Sequence, residues 1–177
     1  MAKTINLEQY VRNIPDFPKP GILFRDITTL IQNGKAFKAS VDMLVKEYKD
    51  KKIDKVVAVE ARGFIFGAAI AHRLGIGFVP VRKKGKLPFK TNSVTYNLEY
   101  GIDTLEIHCD AIEKNERVLV VDDLLATGGT VKAVTELIEG LEGKVIGIAF
   151  VIELVDLGGR KKLKSYDSYS LIKFPGH

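Results

Sequence analysis

The chain has 177 residues, 46% of them hydrophobic and 28% charged, with a formal net charge of +5. That length and balance suit one packed domain burying roughly 70% of its unfolded surface, and exclude a mainly disordered or fibrous chain. A lone cysteine, Cys109, excludes an intrachain disulfide, and neither an apolar leader nor a run of ~20 apolar residues stands out.

In chain order, the first 35 residues look irregular. Pro15, Pro18 and Pro20 lie within six positions and predict a rigid extended loop over Pro15–Gly21. From Ala36 a helical period sets in. Phe37, Val41, Leu44, Val45 and Tyr48 share a face, and Asp42 and Lys46 are spaced to pair outside it. Val56–Val59 reads as a buried strand and Gly63–Leu74 as a helix. Phe78–Val81 reads as a further strand, its Pro80 pointing to an edge or a strand end. The polar stretch from Arg82 to Glu106 breaks the pattern, with only a weak alternation through Val94, Tyr96 and Leu98. A connection of that length is usually functional, often a flap. Val118–Val121 is a strand, followed by a helix with Val134, Leu137, Ile138 and Leu141 on its apolar stripe. Val145–Ile152 and Tyr169–Ile172 complete the set, with Gly158, Gly159 and Arg160 read as a loop end. Continuously apolar strands spaced by helices predict an α/β fold, an open parallel β-sheet flanked by helices. In such sheets ligands bind beyond the carboxyl ends of the strands, where Glu60–Gly63, Arg82–Lys86 and Asp122–Thr130 would meet.

The strongest chemical signal is the string from Val118 to Thr130, in which a buried strand runs into Asp122 and Asp123, then a small-residue loop, then a helix. Gly128 and Gly129 let backbone approach an anion, Thr127 and Thr130 add hydroxyls, and the helix start supplies unpaired N–H groups. This is a phosphate cradle, but not a Walker loop, because the Gly-Lys-Ser/Thr is missing. The two acids would repel a phosphate, so they face another part of the ligand. Ribose hydroxyls or a hydrated divalent cation are the chemically suitable targets. Arg82, Lys83, Lys84 and Lys86 taken alone describe a solvated loop, and Glu60–Gly63 an ordinary strand-to-helix turn. His72 and His108 lack metal-ligand spacing. Cys109 reads as a packing residue. The modest positive charge suits a phosphate-bearing substrate and does not require nucleic acid.

The string from Val118 to Thr130 closely resembles the phosphoribosyl-diphosphate (PRPP) signature of the type I phosphoribosyltransferases, in the form of the branch that acts on adenine. Five further stretches agree: Asp16–Asp26, Glu60–Gly67, Val81–Pro88, Leu98–Gly101 and the terminal Phe174–His177. The resemblance therefore runs along nearly the whole chain. It implies one phosphoribosyltransferase domain over residues 1–177, with 1–35 as an amino-terminal hood and 82–106 as a flexible flap over the site. The implied reaction is transfer of the 5-phosphoribosyl group from PRPP to adenine, giving AMP and pyrophosphate in purine salvage. Mg²⁺ is the implied cofactor, held mainly through PRPP and water with no dedicated protein ligand set. A cytoplasmic homodimer is expected, with no nucleic acid or membrane among its partners.

By the same resemblance Ala126, Thr127, Gly128, Gly129 and Thr130 bind the 5′-phosphate, and Asp122 and Asp123 the ribose hydroxyls and Mg²⁺. Glu60, Ala61 and Arg62 would hold pyrophosphate, in a turn that often contains a cis peptide, together with Arg82, Lys83 and Lys86 of the closing loop. Phe24 would stack on adenine opposite Leu124, with main-chain atoms of Leu23 and Arg25 reading its edge, although composition alone leaves Phe24 equally a core residue. Glu99 is the implied proton-transfer residue near purine N7, and Tyr100 helps position the ribosyl group. Transferases for hypoxanthine or guanine typically carry an Asp where Ala126 stands, which favours adenine. The alternatives are another base, or a PRPP-binding regulator without turnover. Intact Glu60–Gly63 and Leu98–Gly101 motifs and the lack of a helix-turn-helix argue against a regulator.

Overall fold

The computed structural model describes residues 5–98 and 101–175. Five strands form a parallel core: β3 (Lys55–Val59), β4 (Gly77–Lys83), β7 (Arg117–Leu125), β8 (Lys144–Leu154) and β9 (Ser168–Phe174). Two more, β5 (Thr91–Leu98) and β6 (Gly101–His108), make an antiparallel hairpin, and the seven-stranded order is β5-β6-β4-β3-β7-β8-β9. The predicted open α/β sheet is therefore present, extended by one antiparallel hairpin.

Alternation along the strands divides the apolar residues between two faces. Val56, Ala58, Leu119, Val121, Ala149 and Val151 face one layer, packed with Leu30, Val41, Leu44, Phe66 and Ile70 of α1 (Thr28–Gln32), α2 (Gly34–Tyr48) and α3 (Arg62–Leu74). Val57, Val59, Val118, Val120, Ile148 and Phe150 face the other, where α4 (Gly129–Gly140) contributes Val134, Leu137 and Ile138. Covering both faces is what makes the strands read as unbroken apolar runs. Among the described residues no helix is long and apolar enough to cross a membrane.

Four local expectations need correction. The stretch over Pro15–Gly21 is a tight turn, not an extended loop. It joins two short antiparallel strands, β1 (Arg12–Ile14) and β2 (Phe24–Asp26), and is closed by Phe17 N–H to Ile22 O at 3.2 Å and Gly21 N–H to Asp16 Oδ1 at 2.7 Å. Asp42 does not pair with Lys46. It bonds to Lys38 one turn earlier and, at 3.0 Å, to Arg73, which α3 brings against α2. The stretch 82–106 is largely ordered as strand, because Val94 and Tyr96 pack inward against the α4 layer. Cys109 is exposed, since β6 ends one residue before it.

Pro80 meets its expectation in an unusual way. The span Gly77–Val81 pairs with β3, whereas β6 pairs with β4 only at Arg82 and Lys83. The imide nitrogen, which has no N–H to donate, thus sits where the strand has one neighbour.

The short hairpin is fastened to the body by Asp26. Its carboxylate accepts the Thr28 N–H at 2.9 Å, the Thr28 hydroxyl at 2.7 Å and the Arg12 guanidinium at 2.5 Å. Burial would raise its pKa, but the bonds from Thr28 and Arg12 outweigh that and hold it at about 2. A carboxyl depressed in the folded state contributes stability that is complete above its ordinary value of 3.8 and is lost as pH falls towards 2. Asp26→Asn is expected to cost about 1–2 kcal/mol at pH 6. Urea unfolding at pH 6 and pH 2.5 checks this: the gap between variant and parent narrows at the lower pH.

Candidate active site

Because β3 and β7 are parallel neighbours, with Lys55 opposite Val118 and Ala58 opposite Val121, their carboxyl ends open on the same edge of the sheet. Each is followed by a tight turn into a helix, α3 after Glu60-Ala61 and α4 after Ala126–Gly128. Neither helix has a side-chain cap: Ala61 and Gly128 occupy the N-cap positions and offer no hydrogen bond to the first turn. Two sets of unpaired N–H groups therefore face one cleft of about 270 Å³, lined by Glu60–Arg62 and Asp122–Val131. The Glu60–Ala61 peptide is cis, matching the expected turn.

Asp122 and Asp123 stand between these helix ends. They belong to the last turns of β7 pleat rather than to the loop, since the strand continues to Leu125. The Asp123 N–H donates to Asp122 Oδ1 at 2.9 Å. Desolvation and then the neighbouring Asp123 charge push the Asp122 carboxyl well above its ordinary value. Desolvation also raises Asp123, although Arg62 opposes it. Arg62 Nε lies 2.8 Å from Asp123 Oδ2, yet no hydrogen-bond donor is aligned on that buried oxygen. Such an oxygen suits a hydroxyl or a hydrated cation as its missing donor. Among the described residues no group of three or more His, Cys, Asp and Glu side chains is gathered to hold an ion.

The carboxylate pair depends on Gly63. A Cβ there would lie 2.9 Å from Asp122 Oδ1 and 3.2 Å from the Val121 carbonyl oxygen, so the start of α3 closes directly on β7. On the other side, Gly128 turns the chain into α4 with φ +79°, a conformation that side chains rarely adopt. The neighbouring Thr130 hydroxyl shares a 3.3 Å hydrogen bond with Tyr96 of β5, which ties the hairpin to this loop.

The basic residues predicted to meet pyrophosphate are gathered around Glu60. Its nearly buried carboxylate takes the Lys83 N–H at 2.7 Å, Lys86 Nζ at 3.1 Å and Arg82 Nη2 at 3.1 Å. Burial works to raise its pKa, and these bonds outweigh that and lower it. Lys83 Nζ pairs with Asp103 of β6 at 3.1 Å. In the hood, the Phe24 ring is faced by Arg62 at 5.3 Å and by Phe17 at 5.1 Å. Arg62 thus links Phe24 to Asp123. The Arg25 side chain turns away, stacking on Phe174 at 4.2 Å and bonding Asn13 at 2.6 Å, while Leu23 is half-buried and Leu124 lies in the cleft wall. Glu99 and Tyr100, like Gly176 and His177, lie outside the described residues.

Sequence reasoning missed Tyr96, which had a signal in the alternation of its strand. It placed Gly63 in the Glu60–Gly63 turn but gave no sign of its close approach to Asp122, because that is a distance to a part of the chain far off in sequence.

A family profile for the phosphoribosyl transferase domain matches residues 28–175. An adenine phosphoribosyltransferase of Escherichia coli O157:H7 is 58% identical over 173 residues, covering 97% of this chain and 94% of its own. The crystal structure of adenine phosphoribosyltransferase from Thermoanaerobacter pseudethanolicus superposes with a TM-score of 0.92 at 56% identity, covering 96% of this chain and 100% of its own. That from Saccharomyces cerevisiae, complexed with an imino-altritol 1,6-bisphosphate and adenine, gives 0.88 at 42% identity, covering 93% and 96%.

A carboxyl whose pKa is raised by folding destabilises the native state once pH exceeds its ordinary value. Asp122→Asn keeps an oxygen for the Asp123 N–H and removes the repelled charge. Its melting temperature at pH 7 is expected to exceed the parent's. Scanning calorimetry at pH 7 and pH 4 checks this, the difference shrinking at pH 4.

Proposed function

Because this chain belongs to the adenine phosphoribosyltransferase family, we propose that it transfers the 5-phosphoribosyl group of PRPP to adenine, giving AMP and pyrophosphate. The observation that carries this reading is a pair of uncapped helix ends on either side of a carboxylate pair, Asp123 buried and Asp122 half-buried. PRPP is complementary to it, with an anion for each helix end and a diol between them for the acids. The yeast relative, in its crystal structure, holds a bisphosphate and adenine together.

In this reading the loop Ala126–Thr130 takes the 5′-phosphate through backbone N–H groups, Thr127 and Thr130. Asp122 and Asp123 accept the ribose hydroxyls, with Asp123 Oδ2 gaining the donor it lacks. The Glu60–Arg62 turn and the start of α3 receive pyrophosphate. Lys83, Lys86 and Arg82 exchange their bonds to Glu60 and Asp103 for the pyrophosphate oxygens as the flap 82–106 covers the site. Phe24 and Leu124 flank the base, and main-chain atoms of Leu23 and Arg25 read its edge. Purine N9 bonds to the ribosyl anomeric carbon as the bond to pyrophosphate oxygen breaks, and the Glu99 carboxylate accepts the proton that leaves N7 while Tyr100 orients the ribosyl group. Asp122 and Asp123 would face a Mg²⁺ carried mainly by PRPP and water, which when bound would supply charge neutralisation to the leaving group. Most of the acceleration then comes from positioning and from fixed dipoles aimed at developing charge. The functional unit is read as a cytoplasmic homodimer serving purine salvage.

Incubation of the purified protein with PRPP, Mg²⁺ and each of adenine, hypoxanthine and guanine tests the reaction. AMP from adenine alone is expected, and chelation of Mg²⁺ should stop it. No nucleotide from any base, in protein that still binds PRPP, would overturn the enzyme reading. Glu99→Gln should lower kcat about a hundredfold or more, the usual scale for losing a proton-transfer group. Near-normal turnover would remove Glu99 from the chemistry.

A further inference from the structure

The loop after β7 has no lysine or arginine of its own between Asp122 and Thr130. Its grip on an anion must come from backbone N–H groups and hydroxyls, whose value depends on loop shape to within a fraction of an ångström. The loop rests on the chain that follows β8. A Cβ placed on Gly159 would lie 2.2 Å from the Ala126 carbonyl oxygen and 3.0 Å from the Gly128 nitrogen. Reciprocally, a Cβ on Gly128 would lie 2.7 Å from the Gly159 carbonyl oxygen. The contact is backbone on backbone, with Leu125 Cδ1 also 2.8 Å from that Cβ position, so a side chain at 159 has no room.

Gly159 opens a short 3-10 turn, Gly159–Leu163, whose next residue is held with unusual completeness. Arg160 Nε donates to Glu153 Oε1 at 2.9 Å, and Nη2 donates to Glu153 Oε2 and, at 3.0 Å, to Ser170 Oγ. Its Nη1 donates to the Ser168 carbonyl at 2.6 Å and to Ser168 Oγ at 2.9 Å. Glu153 is only 4% exposed and sits in register with Leu125, the last residue of β7 before the loop. The clamp and the loop are therefore anchored at the same level of the sheet.

We propose that Gly159 is the floor of the 5′-phosphate loop and that the Arg160–Glu153 clamp holds this floor in place, which makes Gly159 and Arg160 positioning residues for the 5′-phosphate of PRPP. The inference rests on the reading of Ala126–Thr130 given above and deepens it. A side chain at position 159 lifts Ala126 and Gly128 away from the sheet and spreads the N–H groups that converge on the phosphate. The turn at Glu60–Arg62 is untouched by this displacement, so the effect is confined to one end of the ligand.

The test compares the unaltered protein with Gly159→Ala and Arg160→Lys. Calorimetric titration with ribose 5-phosphate and with pyrophosphate is combined with KM values for PRPP and adenine. For Gly159→Ala the Kd for ribose 5-phosphate and the KM for PRPP should rise about tenfold or more, while the KM for adenine and the Kd for pyrophosphate stay within about twofold. Arg160→Lys keeps the charge but loses the planar fork, and should show the same selective loss at smaller amplitude. If Gly159→Ala does not fold, Arg160→Lys decides by the same criterion. Unchanged ribose 5-phosphate affinity in a folded variant would overturn the proposal, as would an equal loss for both ligands, which marks a merely structural role. Failure of the unaltered protein to bind ribose 5-phosphate would instead overturn the underlying assignment of the loop, and the inference with it.

Discussion

The parallel pairing of β3 with β7 is the constraint on which the site depends. It places two strand-to-helix turns side by side at one sheet edge, and so aims two helix starts at a common space. A one-residue slip of this register would reverse which Val residues meet α3 and which meet α4, and both apolar layers oppose it. The same apolar packing that fixes the sheet therefore fixes the separation of the two anion-seeking ends. Nothing in the turns themselves has to encode that distance.

At rest the charges of the site are answered from within. Glu60 accepts bonds from Arg82, Lys86 and the Lys83 backbone, Asp103 holds Lys83, and Arg62 lies against Asp123. Among the described residues of the site, the carboxylate pair is left in conflict, with two acids adjacent in a poorly solvated strand end and one oxygen without an aligned donor. A protein selected for stability alone would not keep that arrangement, and polar strain of this kind is tolerated where ligand binding relieves it. The basic groups and the acidic pair thus sit at opposite extremes: the former are stable without substrate, the latter become so with it.

The parallel strands were legible because burial on both faces writes an unbroken apolar run into the sequence, as at Val118–Val121 and Val145–Ile152. The phosphate loop was legible because a strand, two acids and paired glycines must be contiguous. What escaped was either cooperative or distant. The alternation in β5 is diluted by Thr91, Asn92 and Ser93, and becomes meaningful only once α4 supplies a surface for Val94 and Tyr96. The turn at Pro15–Gly21 looks extended in the sequence because proline content reports fixed φ angles and not the Phe17–Ile22 hydrogen bond that folds them back. Gly159 shows in the sequence only as a loop end, since its contact with Ala126 joins residues more than thirty positions apart. Arg160 and Glu153 likewise look like two ordinary surface charges until the sheet register sets them together.

The half-paired state of β4 has a consequence for how this protein behaves in a crowded solution. Among the described residues, no strand pairs with Gly77–Val81 on the side away from β3, so over that span β4 forms the edge of the parallel sheet, although Val79 and Val81 keep their side chains buried. An open row of backbone donors and acceptors invites a strand from another molecule, and this is how many β-rich proteins begin to aggregate. Pro80 removes a donor from the middle of that edge, and the hairpin crosses over its upper end at Arg82 and Lys83. Pro80 is therefore a guard: it lets the hairpin leave the sheet early without offering intruding chains a template.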